Sequence, residues 1–149
     1  MQNRRDTVRK TIRLISGEEP GESLFLPNIQ RNFIWKKEQI EKLFDSIMRE
    51  YPIGTFLFWK TRELIKVRKF IDNYKDNLKF TDFYIPNNEE EKLVVLDGQQ
   101  RLQSLYIALK GSYNAMELYF NVFSGNGEFS DPKYQFEFLP QDKALLTNG

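Results

Sequence analysis

The chain contains neither cysteine nor histidine. Without cysteine there are no disulfides, no thiol nucleophile and no thiolate metal site. Without histidine a Ser-His-Asp triad is excluded, as is a nuclease centre of the HNH type, which is named for its histidines. A structural zinc site, which draws mainly on these two residue types, loses its ligands as well. Any metal held here is therefore hard and oxygen-ligated, such as Mg²⁺ shared between a carboxylate and substrate phosphates. No stretch approaches the ~20 apolar residues of a membrane span. The opening Met1-Gln2-Asn3-Arg4-Arg5-Asp6 lacks the apolar segment of a signal peptide. Charge of one sign is not in excess either: 22 Lys and Arg against 21 Asp and Glu leave +1, no global drive toward nucleic acid or membrane. These absences point to a cytoplasmic protein without a membrane partner.

Aromatic residues are plentiful, with 13 Phe, 7 Tyr and 2 Trp in 149 residues, which argues against disorder of the whole chain. The length suits one domain over residues 1–149 with a sizeable core. Val8, Ile12 and Ile15 predict a short helix over 7–16, closed by Gly17. Residues 18–23 read as a loop and 24–26 as a brief strand. The clearest helix is 36–50, with Ile40, Leu43, Phe44, Ile47 and Met48 as one apolar stripe; Pro52 and Gly54 end it. Residues 55–59 read as an aromatic-rich strand. Over 61–92 short apolar runs alternate with charge, and Glu89-Glu90-Glu91 looks like a solvated loop. Residues 117–123 and 134–138 alternate as strands around Ser124-Gly125-Asn126-Gly127. The chain closes on Thr147-Asn148-Gly149 just after a predicted strand, which points to truncation at that end.

Residues 93–110 are the most informative. Leu93–Leu96 is a short valine-rich apolar run, a buried strand. Asp97-Gly98 breaks it, and Leu102, Leu105, Tyr106 and Leu109 then recur at helical spacing up to Gly111. Asp-Gly between apolar runs also suits a hairpin, but the downstream period is 3.6. The expectation is strand, tight turn, helix, with Val94 and Leu96 buried and Leu102, Leu105 and Leu109 covering a sheet. Gln99, Gln100 and Arg101 then fall in the first helical turn, where a cation opposes the helix dipole unless an anion sits nearby. Free amides, a glycine permitting close approach and a guanidinium fork describe a phosphate site. The alternative is that Asp97 caps the helix while Arg101 points into water or pairs with Asp97.

Asp97-Gly98-Gln99-Gln100-Arg101 resembles the Asp-Gly-Gln-Gln-Arg signature of the GmrSD-type restriction endonuclease N-terminal (GmrS-like) domain family. Leu26-Pro27-Asn28-Ile29-Gln30-Arg31-Asn32-Phe33-Ile34-Trp35 resembles its Ile-Pro-x-Tyr-Gln-Arg-x-Tyr-x-Trp block, and Tyr51-Pro52-Ile53-Gly54 followed by Phe56-Leu57-Phe58-Trp59 has a counterpart too. Departures are Ile29 for the usual tyrosine and Gln103 where the family often has threonine.

The resemblance implies an α/β (α+β) fold of the ParB/sulfiredoxin-like kind, a small mixed sheet packed with helices, holding nucleotide phosphates at a strand–helix junction. It implies NTP binding and Mg²⁺-dependent hydrolysis by the regulatory domain of a modification-dependent, anti-phage DNA restriction system. The nuclease would lie on a C-terminal or separate domain. In that scheme Gly98, Gln99 and Gln100 cradle phosphate, and Arg101 and Arg31 stabilise transition-state charge. Asp97 holds Mg²⁺ or orients water, Gln99 or Gln100 positions the attacking water, and Gln30 and Arg31 share the pocket. Read alone, Arg31 instead lies across Trp35 as a cation–π pair.

A binding module is the alternative from another class. Arg4, Arg5, Arg9, Lys10 and Arg13 stand against Asp6, and Lys60, Arg62, Lys66, Arg68 and Lys69 against Glu63. Such patches suit a DNA backbone or solvated surfaces. A ParB-like domain that senses DNA or nucleotide without turnover, alone or as a homo-oligomer, is consistent with them.

Overall fold

The structure, a computed structural model, describes residues 2–29, 32–76, 78, 91–127 and 130–144. Helix α1, Val8–Ser16, starts at Thr7, whose Oγ1 accepts the Lys10 N–H at 3.1 Å, and stops at left-handed Gly17. Strand β1, Ser23–Pro27, and helix α2, Lys37–Met48, follow. Helix α2 ends because Glu50 turns into the left-handed region at φ 59°, ahead of Pro52. Next come β2, Leu57–Thr61, and two-residue strands β3, Val67–Arg68, and β4, Asn73–Tyr74. Strand β5, Lys92–Asp97, runs into α3, Gln99–Lys110. The short β6, Ser112–Tyr113, the hairpin of β7, Glu117–Phe120, and β8, Phe136–Leu139, and the turn α4, Gln141–Ala144, complete the order.

The main sheet has the order β2-β5-β1-β3. Its central pair, β1 and β5, is parallel with Phe25 opposite Val94, and the two outer strands are antiparallel to their neighbours. The mixed sheet packed with helices is the α/β architecture expected. Alternation along the strands turns Leu24, Leu26, Leu93 and Val95 into one core with Ile12 and Leu14 of α1, Ile40 and Phe44 of α2, and Leu102, Leu105 and Ile107 of α3. Two acidic side chains of α2 hold β8 and the segment leading into it: Asp45 Oδ1 accepts the Tyr134 N–H at 2.7 Å and Glu41 Oε2 the Phe138 N–H at 2.9 Å.

Several expectations need correction. Val94 is buried, but Leu96 is 53% exposed and Leu109 48%. Leu96 lies beyond the paired part of β1 and beside the register shift between Leu57 and Phe58. The buried face of α3 takes in Gln103, Ser104 and Ile107 and so turns away from Leu109. Met48, at the end of α2, is also exposed. The second strand begins at Leu57 rather than 55, and the strand from 117 stops at Phe120. Glu89 and Glu90 lie outside the described residues. Among the described residues, no helix is long and apolar enough to cross a membrane.

Candidate functional site

Asp97 is the last residue of β5, at the carboxyl end of the central parallel pair. Its side chain is exposed and has no hydrogen bond or ion pair to another described residue. It does not cap α3, and it does not pair with Arg101, so both halves of the alternative reading of this turn fail. The cap residue is Gly98 in the left-handed region (φ 90°, ψ 17°), with no side-chain cap. A Cβ at Gly98 would collide with the Phe56 ring, so both the backbone angle and the space call for glycine. The first main-chain bond of α3 runs from Leu102 N–H to Gly98 O at 3.1 Å. The amides of Gln99, Gln100 and Arg101 ahead of it have no main-chain acceptor among the described residues.

Three long side chains of α3 each hold a different stretch of backbone. Gln100 Nε2 donates to Asn32 O at 3.0 Å while its Oε1 accepts the Ile34 N–H at 3.1 Å. Arg101 donates from Nη1 to Ile53 O and from Nη2 to Thr55 O at 2.9 Å, and its guanidinium carbon lies 4.8 Å from the centre of the Phe56 ring. Gln103, 3% exposed, donates to Ile71 O and accepts the Ile71 N–H at 3.0 Å. Gln99 makes a longer contact, from Nε2 to Val95 O at 3.4 Å. The three sequence blocks therefore meet around the first turn of α3. Arg101 points neither into water nor toward Asp97. It bridges two carbonyls on either side of Gly54.

Gln30 and Arg31 lie outside the described residues, and so does the alternative stacking of Arg31 on Trp35. Their flanks are tied down: Arg68 Nε donates to Asn28 O at 2.9 Å, and Asn32 is held by Gln100. Trp35 O accepts the Tyr113 hydroxyl at 3.2 Å; burial, chiefly, pushes that phenol up to about 12.

Sequence reasoning missed the receiving side of this site. Gly54 and Phe56 fell within a block that has a family counterpart, but neither was given a role in the site, although a glycine shortly after proline does signal an unusual backbone. Gln103 stood out as a departure from the family pattern; its length is what reaches both groups of Ile71. Just after β1, Asn28 Oδ1 is buried without a hydrogen-bond partner among the described residues.

The cationic stretches are partly neutralised. Arg4 contacts Asp6 at 2.7 Å and Glu22 at 2.9 Å, Lys10 contacts Asp6 at 3.6 Å, and Arg13 contacts Glu19 at 3.4 Å. Lys60 pairs with Glu91 at 3.3 Å. Among the described residues, no three acidic side chains cluster in a way that could hold a metal ion. Among the described residues, Asp97 offers an exposed carboxylate without a partner at this end of the sheet.

An uncharacterized protein of Methanocaldococcus jannaschii is 36% identical over 93 residues, a match covering 56% of this chain and 14% of that much longer protein. The family described as the GmrSD restriction endonuclease N-terminal domain matches residues 12–148. That span runs through all three blocks gathered at α3, and the chain belongs to the family of GmrSD restriction endonuclease N-terminal domains.

Proposed function

We propose that this chain binds a nucleoside triphosphate beyond the carboxyl ends of β1 and β5 and hydrolyses it with Mg²⁺. It would act as the regulatory domain of a modification-dependent DNA restriction system. The observation that carries this reading is the exposed Asp97 carboxylate, without a partner among the described residues, beside left-handed Gly98 and the open amides of α3. Ligands of α/β sheets sit outside the carboxyl ends of parallel strands, and a helix N-terminus preceded by glycine favours phosphate oxygens. The family's description supports the restriction setting; the nuclease would be carried on a C-terminal or separate domain.

The residues present fit Mg²⁺. One free carboxylate, completed by phosphates and water, is how that ion is commonly held, and the ion would supply neutralisation of phosphate charge. Gly98 and the amides of Gln99, Gln100 and Arg101 cradle phosphate oxygens. Arg101 has five N–H donors and uses two on the 53–55 backbone. Its remaining donors and its charge stabilise charge developing on the transferred phosphoryl group. Gln99 orients the attacking water, while Gln100, bonded at both ends of its amide, builds the wall with Asn32 and Ile34. Gln30 and Arg31 would add a second polar and cationic pair to the same pocket.

A second reading, a sensor that binds nucleotide or DNA without turnover, draws support from the main-chain bonds that occupy both Gln100 and Arg101. A colorimetric phosphate-release assay with each NTP, with and without Mg²⁺, separates the two. Release that needs Mg²⁺ and vanishes in Asp97→Asn supports hydrolysis. Binding of nucleotide or of DNA in parallel titrations, without release, supports the sensor, and a chain that binds neither and releases no phosphate overturns both.

A further inference from the structure

The carboxyl end of β1 holds an oxygen that lacks its partner. Asn28 Oδ1 is buried with no hydrogen-bond donor among the described residues, and a buried acceptor of that kind calls for an ion or an ordered water. Two neighbours cannot supply the donor. Arg68 Nε spends its proton on the main-chain oxygen of the same asparagine, at 2.9 Å, and Pro27 has no N–H. Lys92 Nζ is likewise buried and unpartnered among the described residues, but it stands at the opposite end of the sheet, where β5 begins.

Asn28 lies level with Asp97. The parallel register pairs Leu24 with Leu93 and Phe25 with Val94; carried three residues further, it sets Asn28 beside Asp97 on the neighbouring strand. Leu24, Leu26, Leu93 and Val95 share the core face of these strands, and the next alternate positions are Asn28 and Asp97. The ladder stops at Phe25 and Val94, so no ladder bond spans the strands where these two side chains stand. Asp97 is exposed, which opens this end of the sheet to solvent on the β5 side.

We infer that Asn28 Oδ1 and the Asp97 carboxylate are ligands of one divalent cation of the Mg²⁺ type. Both are acceptors, and neither has a donor among the described residues. Two acceptors side by side cannot satisfy one another, whereas a cation satisfies both. Oxygen ligands select a hard ion. One carboxylate and one amide oxygen leave the other positions to water or phosphate, as Mg²⁺ prefers, whereas Ca²⁺ gathers a larger set of oxygens. The inference rests on the proposed function only in taking Asp97 as the metal-holding group, and it requires no nucleotide.

Mn²⁺ titrated alone into the isotope-labelled full chain tests it by NMR, because the paramagnetic ion broadens the signals closest to it. The Asn28 side-chain amide and the Asp97 and Gly98 main-chain amides should broaden together, and excess Mg²⁺ should reverse the effect. Asn28→Leu and Asp97→Asn should each weaken Mn²⁺ binding at least about fivefold, and Asn28→Asp should tighten it by a similar factor, since affinity follows ligand number and charge. A merely structural Asn28 would gain nothing from aspartate, which loses the amide N–H. Melting curves separate folding from binding in each variant, and should Asn28→Leu not fold, Asn28→Asp and the wild-type spectra decide. Broadening at Asp97 that spares Asn28, an unchanged Mn²⁺ affinity in Asn28→Asp, or no broadening at either residue would each overturn the inference. Phosphate release is read separately, so Mn²⁺ held by Asn28 and Asp97 in a chain that releases no phosphate would leave this site standing and count against hydrolysis alone.

Discussion

Arg101 fills the space that a side chain at Gly54 would need: a Cβ built on Gly54 collides with its Nη1. The glycine, at φ +95°, curls the 53–55 backbone so that the carbonyls of Ile53 and Thr55 both face the guanidinium. Gly54→Ala should therefore cost about 1–3 kcal/mol through the strained backbone, before any shift of the arginine. Arg101→Ala should cost about 2–3 kcal/mol by abandoning two carbonyls and the Phe56 face. The sequence alone predicts instead that removing this cation is neutral or favourable for folding. Urea unfolding of both variants and of the double variant decides the point: a double variant that loses less than the sum of the two single losses would show that the two positions act as one contact.

Gln103 should be the most sensitive polar position in α3. It is buried and satisfies both main-chain groups of Ile71. Gln103→Ala should cost about 2–4 kcal/mol, because it leaves a donor and an acceptor unpaired as well as a void. Gln103→Thr, the residue the resemblance leads one to expect, is too short to make both bonds and should fall between wild type and alanine. Thermal melts suffice, since each kcal/mol moves the midpoint of a domain this size by ~2–4 °C.

Helix α3 and the strand before it were legible because their apolar periods differ and Asp97-Gly98 separates them. The meeting of the three blocks could be suspected from their shared resemblance. The acceptors at 32, 53, 55 and 71 could not, because main-chain carbonyls leave no mark in a sequence. The same contact explains why the strand starts at Leu57 rather than 55: residues before it are drawn aside to receive Arg101. Strands β3 and β4 went unread because two residues carry no period. Leu96 and Leu109 were misplaced because alternation and helical spacing give a facing direction, not the point where a short neighbouring element ends.

Glu41 gives the fold a pH dependence. Burial, the largest influence, raises its carboxyl above the ordinary 4.5, against the opposing hydrogen bond from the Phe138 N–H. A carboxyl whose folded value is raised binds its proton more tightly in the folded state. Its contribution to stability is therefore greatest below 4.5 and declines as pH rises from there through the raised value. Glu41→Gln keeps an oxygen for Phe138 and removes the half-buried charge, so it should equal or exceed wild type near pH 7 and lack this part of the slope. Urea midpoints measured from pH 4 to pH 7 on the two proteins give the comparison; a steeper slope in the variant would contradict the assignment.

Asp97→Ala should separate chemistry from folding. As a helix cap, Asp97 would contribute ~1 kcal/mol, and its removal would lower both stability and turnover. The structure puts Gly98 at the cap and leaves the Asp97 carboxylate exposed without a partner among the described residues. The variant should then unfold within about 0.5 kcal/mol of wild type, as exposed substitutions do, while losing Mg²⁺-dependent phosphate release. Arg101→Ala should do the reverse in part, losing stability along with nucleotide affinity. Unfolding curves and nucleotide titrations on the two variants therefore read different quantities. If Asp97→Ala retains wild-type release, or if it destabilises the domain as much as Arg101→Ala does, the carboxylate is not the metal-holding group of the site.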